Sequence, residues 1–174
     1  MKYFNGFCLQ NENKLFNEYI ENGFFNVAGF SFGAQKAVNY VLNTKKRIGK
    51  LQLLSPAFFT YSSKIINLNI QGFKKNKKSY IKTFLNKAGG EVDIENCKLK
   101  VGDETLKLSE CCEEELKEMF TFDWEIIKKI KNIKIEVFLG ECDKIINLKR
   151  ANVFFTDAAD VYMIKDANHF LIKE

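Results

Sequence analysis

With 174 residues, 46% of them hydrophobic and 14% aromatic, the chain can bury the core of a single domain spanning residues 1–174. No apolar run approaches the roughly 20 residues a membrane span needs, and the N-terminal stretch has no long apolar segment, so neither a membrane nor a secretory route is expected and the cytoplasm is. The net charge is +5, but all of the 27 basic residues except Arg47 and Arg150 are Lys; bidentate reading of bases and phosphates favours Arg, so nucleic acid is not an expected partner.

The five cysteines, Cys8, Cys97, Cys111, Cys112 and Cys142, are odd in number and form no CxxC pair. They read as free thiols, with neither a disulfide framework nor a zinc site, and the sequence requires no metal or cofactor.

In chain order, Met1 to Phe4 reads as a short strand that meets a loop at Asn5–Gly6. From Glu12 to Asn22 the apolar positions Leu15, Phe16, Tyr19 and Ile20 fall three and four apart, predicting a helix stopped by Gly23. A strand follows from Phe24 to Ala28, then Gly29-Phe30-Ser31-Phe32-Gly33, then a helix from Ala34 to Leu42 with Lys45, Lys46 and Arg47 favourably placed at its C-terminal end. Leu51 to Leu54 is the next strand. Residues 57–131 lose the alternation and read as several helices, a lid-like insertion. Order resumes with a strand from Ile133 to Leu139, a helix from Leu148 to Phe155 and a strand from Val161 to Ile164. Strands alternating with helices predict a parallel sheet with crossover helices.

Gly-x-Ser-x-Gly between a strand and a helix is the pattern of a nucleophile elbow, a tight turn that leaves no room for bulk two residues before or after the serine. In open parallel sheets the loops at the strands' carboxyl ends share one crevice. Ser31, Asp143 and His169 each follow a different predicted strand, in the Ser, Asp, His order of the α/β-hydrolase fold. A serine hydroxyl needs an imidazole to take its proton, and a carboxylate to hold that imidazole's tautomer. His169 is the only histidine, so no other imidazole can serve. Asp143 is preferred as the acid because it follows a Gly turn after the penultimate strand, while Glu141, Asp160 and Asp166 lie nearby. Donors for an oxyanion are expected from the backbone N–H groups of Phe32, after the nucleophile, and Phe7, in the first strand-to-helix loop.

These residues resemble a known family. The elbow Gly29–Gly33, the acid turn Gly140–Ile145, the ending Asn168-His169-Phe170 and the start Met1-Lys2-Tyr3-Phe4-Asn5-Gly6-Phe7, followed by Asn11 and Glu12, look like the α/β-hydrolase carboxylesterases of biotin synthesis. The nearest resemblance is to the short pimeloyl-acyl-carrier-protein methyl ester esterases of the BioV type. The resemblance implies hydrolysis of the methyl ester of pimeloyl-acyl carrier protein to the free carboxylate and methanol. It also implies a truncated α/β-hydrolase fold of about five parallel strands, flanked by helices and covered by a helical lid insertion at 57–131. Met1–Phe4 would then be an edge strand, which invites pairing with a second copy.

Between Gly72 and Ala88, Lys74, Lys78 and Lys82 recur every four residues beside Lys75 and Lys77, with Tyr80, Ile81, Phe84 and Leu85 as an apolar face. This predicts one cationic amphipathic helix: a solvated face over a buried stripe, a docking face for an acidic carrier protein, which the family resemblance favours, or a face for a membrane surface. Phe58, Phe59, Tyr61, Phe120, Phe122 and Trp124 are candidates to line an acyl channel or to form core. Two other functions stay open: a general acyl-esterase or thioesterase of the same fold, and a non-catalytic hydrolase-fold binding protein.

Overall fold

The computed structural model describes residues 1–173. Its elements in chain order are β1 (Lys2–Phe4), β2 (Leu9–Gln10), a 3-10 turn at Glu12–Phe16, β3 (Asn26–Phe30), α1 (Phe32–Asn43), β4 (Lys50–Leu54), α2 (Ser63–Lys75), α3 (Lys77–Lys87), β5 (Glu91–Asp93), β6 (Lys98–Val101), β7 (Glu104–Leu108), α4 (Glu113–Thr121), a 3-10 turn at Trp124–Lys129, β8 (Lys134–Gly140), α5 (Leu148–Thr156) and β9 (Asp160–Ile164).

The main sheet is parallel, with strand order β1-β3-β4-β8-β9. Its interior strands are mostly apolar, as a sheet covered on both faces demands: Val27 to Phe30, Leu51, Leu53, Leu54, Val137 and Leu139 are all buried, and the buried polar pair Gln52 and Glu136 is joined by a hydrogen bond of 3.0 Å. α1 turns Ala34, Ala37, Val38 and Val41 inward at helical spacing and ends where Thr44 donates its N–H to the Tyr40 carbonyl. β1 occupies one edge of the sheet and β9 the other. Among the described residues, no helix is long and apolar enough to cross a membrane.

Five expectations need correction. The helix predicted over 12–22 is only a single 3-10 turn at Glu12–Phe16; Leu15, Phe16, Tyr19 and Ile20 still pack on the core, so the periodicity reported burial rather than a long helix. The strand after it begins at Asn26, and Phe24 is 90% exposed. The insertion is not all helical: β5, β6 and β7 form an antiparallel sheet that recruits β2. Its alternation was present in the sequence, with Leu99, Val101, Leu106 and Leu108 buried on one face and Lys98, Lys100 and Lys107 exposed, around a turn at Gly102–Asp103 with Gly102 at φ 56°. The single lysine-rich helix is two helices, broken at Asn76, whose side chain caps α3 by accepting the Ser79 N–H at 3.0 Å.

The free-thiol reading fails for two residues, because Cys8 and Cys111 form a disulfide across 103 residues of sequence. Cys97, Cys112 and Cys142 are free.

Candidate active site

The elbow is built by the two glycines. A Cβ on Gly29 would lie 2.3 Å from the Gly33 carbonyl oxygen, and one on Gly33 would lie 2.0 Å from the Phe4 carbonyl oxygen. The first closes the turn and the second lets the end of β1 press against the start of α1. Ser31, between them, takes φ 52° and ψ −114°, a conformation L-residues avoid. Hydrogen bonds hold it there: its N–H donates to the Leu54 carbonyl at 2.9 Å, and its own carbonyl accepts the N–H groups of Ala34 at 3.1 Å and Ala57 at 3.2 Å.

Ser31, Asp143 and His169 come together at the carboxyl ends of β3, β8 and β9. The Ser31 hydroxyl lies 3.0 Å from His169 Nε2, and His169 Nδ1 lies 2.6 Å from Asp143 Oδ2. An ionised carboxylate only accepts, which assigns the ring proton to Nδ1 and leaves Nε2 free to accept from the serine. The other carboxylate oxygen of Asp143 accepts the N–H groups of Ile145 at 2.7 Å and Ile146 at 3.3 Å. Two of the alternative acids are engaged elsewhere: Glu141 accepts the Asp166 N–H, and Asp160 faces Lys134.

His169 is 1% exposed and is held in a tight loop. Asn168 Oδ1 accepts the N–H groups of Phe170 at 2.9 Å and Ile172 at 3.4 Å, and the Phe30 ring packs 5.2 Å from the imidazole. Gly140 lets the acid turn meet this loop, since a Cβ there would stand 2.2 Å from the Asn168 carbonyl oxygen.

Of the two expected oxyanion donors, Phe32 directly follows the elbow serine. Phe32 is the first residue of α1, and an N–H in the first turn of a helix has no intrahelical acceptor. Among the described residues, the Phe7 N–H likewise meets no acceptor within the chain. The rings of Phe7 and Phe32 meet edge to face, with centroids 6.4 Å apart.

One residue of this region carried no role in the sequence reading. Glu12 is fully buried, and its Oε1 accepts the Gly6 N–H at 2.7 Å and the Tyr3 hydroxyl at 3.3 Å. Burial pushes its carboxyl above the usual range, against the opposing hydrogen bonds. The sequence signal was an acid set among Leu9, Leu15 and Phe16 in a stretch otherwise destined for the core.

Phe59, Tyr61, Tyr80, Phe84 and Phe120, with Asn69, Thr83 and Lys87, line a cavity of about 150 Å³ that reaches Ile145 of the acid turn. Phe58 and Trp124 instead are core, packed on Phe155. Of the lid lysines, Lys74 pairs with Glu113 at 3.0 Å, whereas Lys75, Lys78 and Lys82 have no ion-pair partner among the described residues.

Solved structures share this architecture. An esterase from Exiguobacterium antarcticum superposes with a TM-score of 0.56 at 17% identity, over 80% of this chain and 57% of its own. MenH from S. aureus gives 0.58 at 13% identity over 96% and 85%, and an E-2-(acetamidomethylene)succinate hydrolase gives 0.61 at 10% identity over 98% and 84%. The chain has an α/β-hydrolase fold. It spans little more than half the length of the Exiguobacterium esterase, and its five-stranded sheet makes it a truncated form. No family model matches the chain, and no curated protein matches it in sequence.

Proposed function

We propose that the protein is a serine carboxylesterase that hydrolyses the methyl ester of pimeloyl-acyl carrier protein, releasing the carboxylate and methanol. The observation that carries the hydrolase reading is the unbroken chain from Ser31 through His169 to Asp143, at 3.0 and 2.6 Å, on a strained elbow. Ser31 attacks the ester carbonyl as His169 Nε2 takes the hydroxyl proton, and Asp143 stabilises the imidazolium through Nδ1–H. The Phe7 and Phe32 N–H groups receive the developing oxyanion. Collapse expels methoxide, which leaves as methanol with the proton from His169, and water activated by the same imidazole hydrolyses the acyl-enzyme.

The esterase names among the structural neighbours support ester hydrolysis as the reaction class. The particular substrate and the acyl carrier protein as partner are supported by the sequence resemblance, and the aromatic cavity suits an acyl chain. A cytoplasmic location and a second copy paired through β1 belong to the same proposal. A general acyl-esterase or thioesterase is the second reading, favoured by the same triad, which cleaves either bond. The test measures hydrolysis of carrier-bound pimeloyl methyl ester, the carrier thioester and a small soluble ester by wild type, Ser31→Ala and His169→Ala. Both variants should lose at least about 10³-fold in kcat. Retained activity would overturn the catalytic reading, and preference for the thioester would replace the methyl ester.

A further inference from the structure

The Phe7 N–H and the Gly6 carbonyl belong to the same planar peptide unit and point in opposite directions. Whatever fixes the Gly6 peptide groups therefore aims the Phe7 donor. Gly6 itself cannot supply that rigidity. It must be glycine, because a Cβ would meet the Phe30 ring at 2.8 Å, and glycine is the residue with the most backbone freedom.

Two hydrogen bonds remove that freedom. The Leu9 N–H donates to the Gly6 carbonyl at 3.2 Å, fixing one side of the Gly6–Phe7 peptide. The Gly6 N–H donates to Glu12 Oε1 at 2.7 Å, fixing the peptide before it. On the far side of Phe7, the Cys8 carbonyl accepts the Ser109 N–H at 2.9 Å.

Glu12 is an expensive way to make such a bond. Its carboxyl is fully buried, its other oxygen has no partner within the chain, and burying an ionisable group is costly unless all of its polar atoms are paired or hydrogen-bonded. Its only backbone donor from the preceding loop is the Gly6 N–H.

We propose that Glu12 is a positioning residue of the oxyanion site: by accepting the Gly6 N–H, it holds the Gly6–Phe7 segment so that the Phe7 N–H points at the substrate oxygen. This rests on the ester-hydrolase reading of Ser31. Glu12 touches no reacting atom, so its removal acts on the transition state, in which the oxyanion exists, and leaves ground-state binding intact.

The experiment compares Glu12→Gln, Glu12→Asp and Glu12→Leu in the full chain, with p-nitrophenyl butyrate as probe, reading kcat, KM and the melting temperature. Gln keeps an acceptor at the same reach; Asp keeps the charge but withdraws the acceptor by one methylene. The expected result is a kcat within about fivefold of wild type for Gln and a fall of roughly 10–100-fold for Asp and Leu, a part of what losing an oxyanion donor costs. KM should stay within about twofold throughout. Wild-type kcat in Glu12→Asp overturns the proposal, as does a kcat loss in Gln equal to that in Asp, or losses that track melting temperature alone. Should Glu12→Leu fail to fold, the Gln and Asp pair still decides. Ser31→Ala, run in parallel, separates the two layers. If it stays active, the esterase reading falls and this one with it; if it is dead while Glu12→Asp is fully active, only the positioning role falls.

Discussion

At the scale of single residues, the site depends on places where nothing larger fits. Ser31 keeps its strained backbone because β3, β4 and α1 fix its neighbours on every side. Gly33 is the sharpest case: its missing side chain is what lets the Phe4 carbonyl approach, and that approach seats the β1 end and the Asn5–Phe7 loop beside the serine. The contact is with backbone at both ends of the missing group, so no side chain can swing aside to relieve it. Gly33→Ala should therefore destabilise the fold by on the order of 2–5 kcal/mol. Urea denaturation reads this as a lowered midpoint with an unchanged slope; a midpoint equal to wild type would mean that β1 is not seated on α1 as described.

At the scale of elements, the parts that position the triad were legible in the sequence and the lid was not. Each of the three follows an apolar strand of five to seven residues, and a parallel sheet puts the ends of such strands on one rim, so Ser31, Asp143 and His169 could be brought together from the sequence. The lid was misread because its strands are short and mostly Lys- and Glu-bearing on the outer face, and a four-residue run such as Lys98–Val101 carries little signal beside the long lysine repeat. That repeat crosses Asn76, where the chain breaks into α2 and α3. The break changes the docking proposal. Lys74 is occupied by Glu113, which leaves Lys75 at the end of α2 and Lys78 and Lys82 on α3 without an ion-pair partner among the described residues. If these meet an acidic carrier, long-range attraction should set the encounter rate and fade as salt shortens the Debye length from ~10 Å at 0.1 M to ~3 Å at 1 M. Raising salt over that range should lower kcat/KM for the carrier-bound ester at least about fivefold and leave a small uncharged ester nearly unaffected. Lys78→Glu with Lys82→Glu should flatten the contrast. Equal salt sensitivity for both substrates would remove the docking role.

At the scale of the whole molecule, a sheet of only five strands must still hold the 57–131 insertion and the Asn5–Phe7 loop in register, and the Cys8–Cys111 bond joins the two. Cys8 directly follows Phe7, and Cys111 stands just before α4. The sequence could not reveal this pair: two residues 103 positions apart, in a chain with an odd cysteine count, offer no spacing to read. A cross-link closing so long a loop restricts the unfolded chain and typically contributes about 2–4 kcal/mol. In a chain of this size, that corresponds to a melting temperature lower by roughly 5–15 °C once the bond is gone. Dithiothreitol should lower the melting temperature of wild type by that amount, and the double variant Cys8→Ser with Cys111→Ser should already melt low and ignore the reductant. Activity should fall with the bond, because β2 and the Phe7 loop would then be tied to β7 by hydrogen bonds alone. The proposed cytoplasmic location sharpens the measurement, since that compartment keeps most thiols reduced. Alkylating cells at the moment of lysis distinguishes three free thiols from five: three means the bond is held in the cell, and five means the protein stands there with the Phe7 loop and the 57–131 insertion unlinked.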